Sequence, residues 1–262
     1  KQNKEAILGL IQRKCDEINE QVETLGALHH NTPDPQVKPR FVAPDFVEPE
    51  PLAPKPQAPG FIDKLFTSRR QRLEEENRAA TERYNAALID WKQRRAEFDK
   101  QVADRKVLVE SLIYEDVGAM ENFLTQSLED IGWPRETQVA FDIQDQGTRV
   151  LLDVDLPELE DMPTKLAAVP ARGLKLSVKE LSATKIKRLY AEHVHGILFR
   201  LIGEVFAALP TVTVVIASGY SQRRDPATAQ MRNDYLLSVQ VLRSDWEEND
   251  FQHLSAIDLV NT

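Results

Sequence analysis

Five carboxylates crowd one short stretch, Asp153, Asp155, Glu158, Glu160 and Asp161 in LLDVDLPELEDMP. Asp153 and Asp155 stand two apart on a segment of alternating polarity, so both project from one face of a strand. Hard divalent cations such as Mg2+ or Mn2+ take oxygen ligands of this kind. Lys179 and Glu180, in LKLSVKE, are the residues that would complete such a site and let the metal activate water. A second candidate is cationic: Lys185, Lys187 and Arg188 at the start of a helix, with Arg223 and Arg224 in a later loop, form the best anion- or partner-binding group. Ordinary surface charge on an acidic domain is the competing reading of that group, and the favoured one. His193 and His195 lie about 200° apart on a helix and do not chelate one ion from there, so one of them reads as a core histidine. Glu204, within ILFRLIGEVFAAL, needs a partner if buried, and Arg200 one turn earlier is placed to be it. The sequence holds no phosphate-binding glycine loop, Gly-x-Ser-x-Gly elbow or His-Glu-x-x-His motif. No catalytic set is complete.

The elements that must position these residues fall into four stretches. From Glu5 to His30 the apolar residues Ile7, Ile11, Cys15, Ile18, Val22 and Leu25 mark a helix with a narrow heptad stripe. Residues 31–60 are proline-rich; nine of the fifteen prolines lie between Pro33 and Pro59, which holds the chain near polyproline II. Phe41, Val42, Phe46, Val47 and Leu52 are too many apolar side chains for a solvated spacer, so this strap is expected to run back along a helix and dock. A free linker, or a ligand for a proline-recognising domain, is the rival reading. Residues 61–112 contain no proline or glycine and predict one long helix. Leu73, Ala80 and Ala87 repeat at seven along it, as do Tyr84, Trp91 and Phe98, with Val102 and Val109 continuing the seam. Such a helix is stabilised by burying its stripe, against the first helix, the strap, the α/β domain or a second subunit.

Residues 113–262 predict a compact domain. A helix over Glu115–Asp130 precedes a hairpin with strands Val139–Ile143 and Arg149–Leu156 around a turn at Asp145–Gly147. A loop over Pro157–Pro170 leads to a third strand at Leu174, Leu176 and Val178. Ser182 caps a long helix that runs to Leu209. A strand over Thr211–Ser218, a loop over Tyr220–Asn233 and a strand over Tyr235–Arg243 follow. Ser244 then opens a terminal helix, with Glu247 completing a capping box. The class is α+β (mixed α/β): a helical coiled-coil stalk, with helix 1 over 1–30, strap 31–60 and long helix 61–112, followed by an α-β-β-β-α-β-β domain over 113–262.

That order, with a strand aspartate and a following lysine, resembles the restriction-endonuclease-like core. The resemblance implies a Mg- or Mn-dependent nuclease using Asp153, Asp155, Lys179 and Glu180. The chain departs from the core's pattern because its third strand lacks Glu-x-Lys, so Glu180 would have to substitute from the strand end. The segments DLPELEDMPTK, HVHGILFRLIGEVFAALP and ASGYSQRRDPATAQMRNDYLLSVQVLRSDW resemble the C-terminal region of a group of uncharacterised bacterial proteins, over about residues 150–262. Full-length members of that group often carry an N-terminal glycine-rich β domain. The resemblance implies a bacterial source and transfers no catalytic residue.

Charge narrows the partners. Residues 1–60 hold 7 basic and 9 acidic groups, 61–112 hold 12 and 10, and 113–262 hold 14 and 23, so the α/β domain carries the net −9. That field disfavours a phosphate backbone. The longest apolar stretch, Ile197–Val205, is interrupted by Arg200 and Glu204 and does not span a bilayer. Cys15 is the only cysteine, which rules out an intrachain disulfide and fits a reducing cytoplasm. The chain opens at Lys1 without a methionine and reads as an internal piece of a longer protein. The first expectation is a non-catalytic assembly module without a cofactor, binding a protein partner or itself through 61–112. The second is the nuclease.

Overall fold

The computed structural model describes residues 2–60, 66–135, 137–169, 175–224, 229–249 and 257. Two compact units divide the chain, Arg40–Glu110 and, around it in sequence, Lys1–Pro39 with Ser111–Thr262.

The inserted unit is a polyproline strap laid on a helix. The long helix α2 spans Thr67–Val107 and passes through a π turn at Leu108–Leu112 into a last turn at Ile113–Glu115. The strap docks, but not through most of the apolar residues expected to do so: Phe46 is half-buried, whereas Val42, Val47 and Leu52 are 76 %, 88 % and 92 % exposed. Phe46 lies with its ring 5.9 Å from Trp91 and 5.2 Å from Phe98, and the Arg95 guanidinium stands 5.2 Å over it. Trp91 Nε1 donates to the Glu48 carbonyl at 3.1 Å, and Arg94 pairs with the Glu48 carboxylate at 2.8 Å and with Asp90. Further along, Asn77 and Gln57 exchange two hydrogen bonds of 2.9 and 3.0 Å. The spacing of these contacts follows from the two rises, about 3.1 Å per strap residue and about 1.5 Å per helix residue. Gln57 to Glu48 covers about 28 Å on the strap, against about 26 Å from Asn77 to Arg94 on the helix. Pro51 and Pro54, between Glu48 and Gln57 at the three-residue period of polyproline II, are half-buried.

The other unit has a four-stranded sheet in the order β1 (Val139–Gln144), β2 (Arg149–Asp155), β5 (Val214–Arg224), β6 (Met231–Leu242) and a separate two-stranded sheet of β3 (Lys165–Ala168) and β4 (Ser177–Glu180). Strands β1 (Val139–Gln144) and β2 (Arg149–Asp155) form the expected hairpin, with Ile143 opposite Val150. Gly147 in its turn has φ +89°, and a Cβ there would lie 2.6 Å from Met120 Sδ. Strand β5 (Val214–Arg224) runs parallel to β2, with Val150 opposite Val215, and β6 (Met231–Leu242) closes the sheet antiparallel. Val150, Leu152, Val154, Val215 and Ala217 form the buried face. Helix α4 (Ala183–Ala208) packs on β5, its N-cap Ser182 accepting from the Lys185 amide as the sequence predicts. Helix α3 (Val117–Glu129), capped by Asp116, buries Met120, Phe123 and Leu124 and packs on α4.

Helix α1 (Gln2–Gly26) belongs to this second unit. Part of the stripe that the sequence assigns to a stalk seam is occupied within this unit. Leu25 packs with Met162 and Leu189 in one buried cluster. The Asn19 amide bonds both the carbonyl and the amide of Ala167 on β3 (Lys165–Ala168), at 2.9 and 2.8 Å.

Three local expectations are corrected. The predicted loop Pro157–Pro170 contains β3, which pairs with β4 (Ser177–Glu180), so the third strand lies in a small sheet of its own; Leu174 lies outside the described residues. The predicted loop Tyr220–Asn233 is largely strand, because backbone pairing between β5 and β6 continues past Tyr220 to Arg224 opposite Met231 whatever the polarity of the side chains. The terminal helix α5 (Arg243–Glu247) has no side-chain cap: Ser244 Oγ bonds Asp245, and Glu247 pairs with Arg243.

Candidate functional site

The face of the main sheet opposite α4 carries the first candidate residues. Strand register sets it in rows: Asp155, Tyr220 and Tyr235; then Ala140, Asp153, Ser218 and Ser238; then Asp142, Leu151, Ile216 and Gln240. Side chains opposite one another in a ladder share a face. Ala140, Asp142, Tyr235, Ser238 and Gln240 are exposed, whereas Leu151, Asp153 and Ile216 are half-buried. Tyr235 donates its hydroxyl to Asp153 Oδ2 at 3.1 Å, and the Ser218 and Ser238 hydroxyls meet at 2.8 Å. Asp153 Oδ1 is buried without a hydrogen-bond partner among the described residues. The bond to Asp153, foremost, raises the Tyr235 phenol above its ordinary value; burial, with Asp155 and Asp153 behind it, raises that of Tyr220.

At the C-terminal ends of the parallel strands β2 and β5 this face turns into a cleft of about 510 Å3, lined among others by Arg135, Gln138, Asp155, Glu158, Asp161 and Gln222. Parallel strand ends are where α/β proteins place ligands. Burial raises the Asp155 carboxyl above the usual carboxylate range. Glu158 and Asp161 are occupied with each other's backbone amides in a reciprocal cap, and the Tyr190 hydroxyl holds the Pro157 carbonyl at 3.1 Å.

The structure separates the residues that the nuclease reading needs together. Asp153 and Asp155 sit on β2 of the main sheet, whereas Lys179 and Glu180 sit on β4 of the small one, where Glu180 pairs with Lys165 at 3.8 Å. The core that the order resembles keeps these groups on neighbouring strands of one sheet, and β2 has β1 and β5 for neighbours instead. Among the described residues, no group of three or more His, Cys, Asp or Glu side chains is placed to hold a metal ion.

The cationic candidates are spread over two elements. Lys185, Lys187 and Arg188 are exposed on the first turns of α4, and Arg188 is engaged with Glu192 at 2.8 Å. Arg223, exposed on β5, lies near Tyr190. Arg224 is part of β5, and its side chain lies outside the described residues.

The paired histidines divide as the helix geometry predicts. His193 is 1 % exposed, its Nδ1 3.1 Å from the Leu25 carbonyl, and burial lowers its pKa to about 4. His195 turns to the Ala191 carbonyl. Glu204 is paired with Arg200, and burial still raises its carboxyl. Sequence reasoning missed Arg243, whose guanidinium donates to the carbonyls of Phe206, Leu209 and Val212 at 3.1, 2.7 and 2.6 Å while lying 4.7 Å from the Phe206 ring. A lone arginine after a strand carries no signal of that role.

The face carries Asp142, Asp153, Asp155, Ser218 and Ser238 beside Tyr220 and Tyr235. No helix among the described residues is long and apolar enough to cross a membrane. No family model matches the chain, and neither does any curated protein or solved structure.

Proposed function

We propose that the chain is a non-catalytic assembly module of a larger bacterial protein, working in the cytoplasm. The strap-backed helix α2 brings copies together, and the acidic sheet face of the α/β unit holds a protein partner. One observation carries this reading: with the strap docked, not one residue of the 41-residue helix α2 is buried. A helix of that length draws most of its stability in a protein from packing one face, and the strap covers only a single stripe. Ile89 and Val107 are left 59 % and 51 % exposed on it.

The reading is tested by Ile89→Arg. The substitution should leave helix content by far-ultraviolet circular dichroism unchanged and reduce the mass measured by light scattering to that of a single chain. A wild-type chain with the 29.8 kDa of one copy at every concentration overturns the reading.

A further inference from the structure

Two opposite charges in the cleft at the C-terminal ends of β2 and β5 stand without partners. Arg135 and Asp155 both line it, yet they do not pair with each other. Among the described residues neither side chain makes an ion pair or a hydrogen bond with any other group. Both are half-buried. A charge partly withdrawn from water and left unpaired costs stability until a counter-charge arrives. The Arg135 charge is felt at the buried His193 ring, so the guanidinium does not simply trail into solvent. The other acids of the cleft are already engaged, because Glu158 and Asp161 each accept from a backbone amide of the turn they share.

We infer that this cleft binds a small zwitterion, an amino acid whose carboxylate meets the Arg135 guanidinium and whose ammonium meets Asp155. The inference goes beyond the assembly reading and does not depend on it. Charge sets the simpler ligands aside. A lone anion gains Arg135 but lies against the carboxylates of Asp155, Glu158 and Asp161. A lone cation gains the carboxylates but leaves Arg135 unpaired beside it. A molecule carrying both charges satisfies both orphans at once.

Geometry and size agree. The planar guanidinium takes a carboxylate through two parallel N–H donors, and the acidic rim orients the ammonium end towards Asp155. The cleft measures about 510 Å3, within the roughly 300–1,000 Å3 of small-molecule sites. Leu156, 3 % exposed, and Pro157 give it an apolar wall for the ligand's carbon chain, and Gln138 and Gln222 add amides. It opens outside the carboxyl ends of two parallel strands, where open α/β sheets take ligands.

Chemical-shift titration of the isotope-labelled full chain tests the inference. The probes are the proteinogenic α-amino acids and γ-aminobutyrate, with acetate and methylammonium as the single-charge halves. At least one zwitterion should bind at millimolar concentration or below and shift the amides of Gln138 and Gln222. Neither half should bind at that concentration. Arg135→Gln and Asp155→Asn should each weaken the binding by about tenfold or more. The same substitutions should leave the denaturant midpoint of the free chain unchanged or raised, because neither takes a partner from another group. A lowered midpoint means that the side chain holds the fold, and overturns the inference. So does a panel in which no zwitterion binds, binding that survives either substitution, or a half that binds as well as the whole. None of these results touches the oligomeric mass, on which the assembly reading stands or falls.

Discussion

His193 and Arg243 are the residues at which small chemical changes have large consequences. The carbonyl of Leu25, near the end of α1, rests on the neutral His193 ring, and burial holds that ring's pKa at about 4 against 6.5 in the unfolded chain. Burial also lowers His29, next to His30 in the segment that follows α1. A depressed histidine contributes stability that is present above pH 6.5 and is lost as pH falls towards 4, because the unfolded chain takes up the proton first. The protection of the α1 amides, their exchange taken relative to the unstructured rate at each pH, should therefore fall between pH 6.5 and 4, with up to about 3 kcal/mol at stake from His193. His193→Gln should flatten that profile, and an unchanged profile in the variant refutes the assignment. Arg243 holds the carbonyl end of α4. Arg243→Ala leaves those carbonyls without their buried donors and should cost about 3 kcal/mol in denaturant unfolding. Arg243→Lys should recover only part, since an ammonium lacks the planar fork.

Elements that follow a local rule were legible in the sequence; elements placed by distant contacts were not. The β1–β2 hairpin and the Ser182-capped α4 follow from alternation and capping over short range, whereas the strap docks through Phe46, Glu48 and Gln57 while Val42, Val47 and Leu52 stay exposed. The β3–β4 pair escaped because four-residue strands are too short to show a period. The far halves of β5 and β6 escaped because their ladder continues through serine, glutamine and arginine. The place of α1 escaped because a heptad stripe looks the same whether it meets another helix or, through Asn19 and Leu25, a strand edge and α4. Of the candidate site, Asp153 and Asp155 were rightly set on one face of a strand, but the strand beside them is β5, which no local pattern specifies. For the strap the expected outcome is resistance: limited proteolysis of the native chain should spare residues 41–57, and Phe46→Ala should expose them by removing the ring seated between Trp91 and Phe98. Equal cutting rates in both chains argue against docking through Phe46.

At the scale of the whole molecule the chain divides its labour. One unit has a conventional core of 0–9 % exposed aliphatic and aromatic side chains, whereas the strap and α2 hold their shape through a stripe of half-buried contacts and many surface ion pairs. Surface pairs contribute little each and are screened by salt. The strap and α2 should therefore gain stability on association. The most direct measurement of this account is sedimentation equilibrium of the full chain and of Ile89→Arg at several micromolar loadings. The account predicts a wild-type mass of two 29.8 kDa chains that falls with dilution, and a single-chain mass for the variant. A wild-type chain that stays at one mass unit at every loading contradicts it.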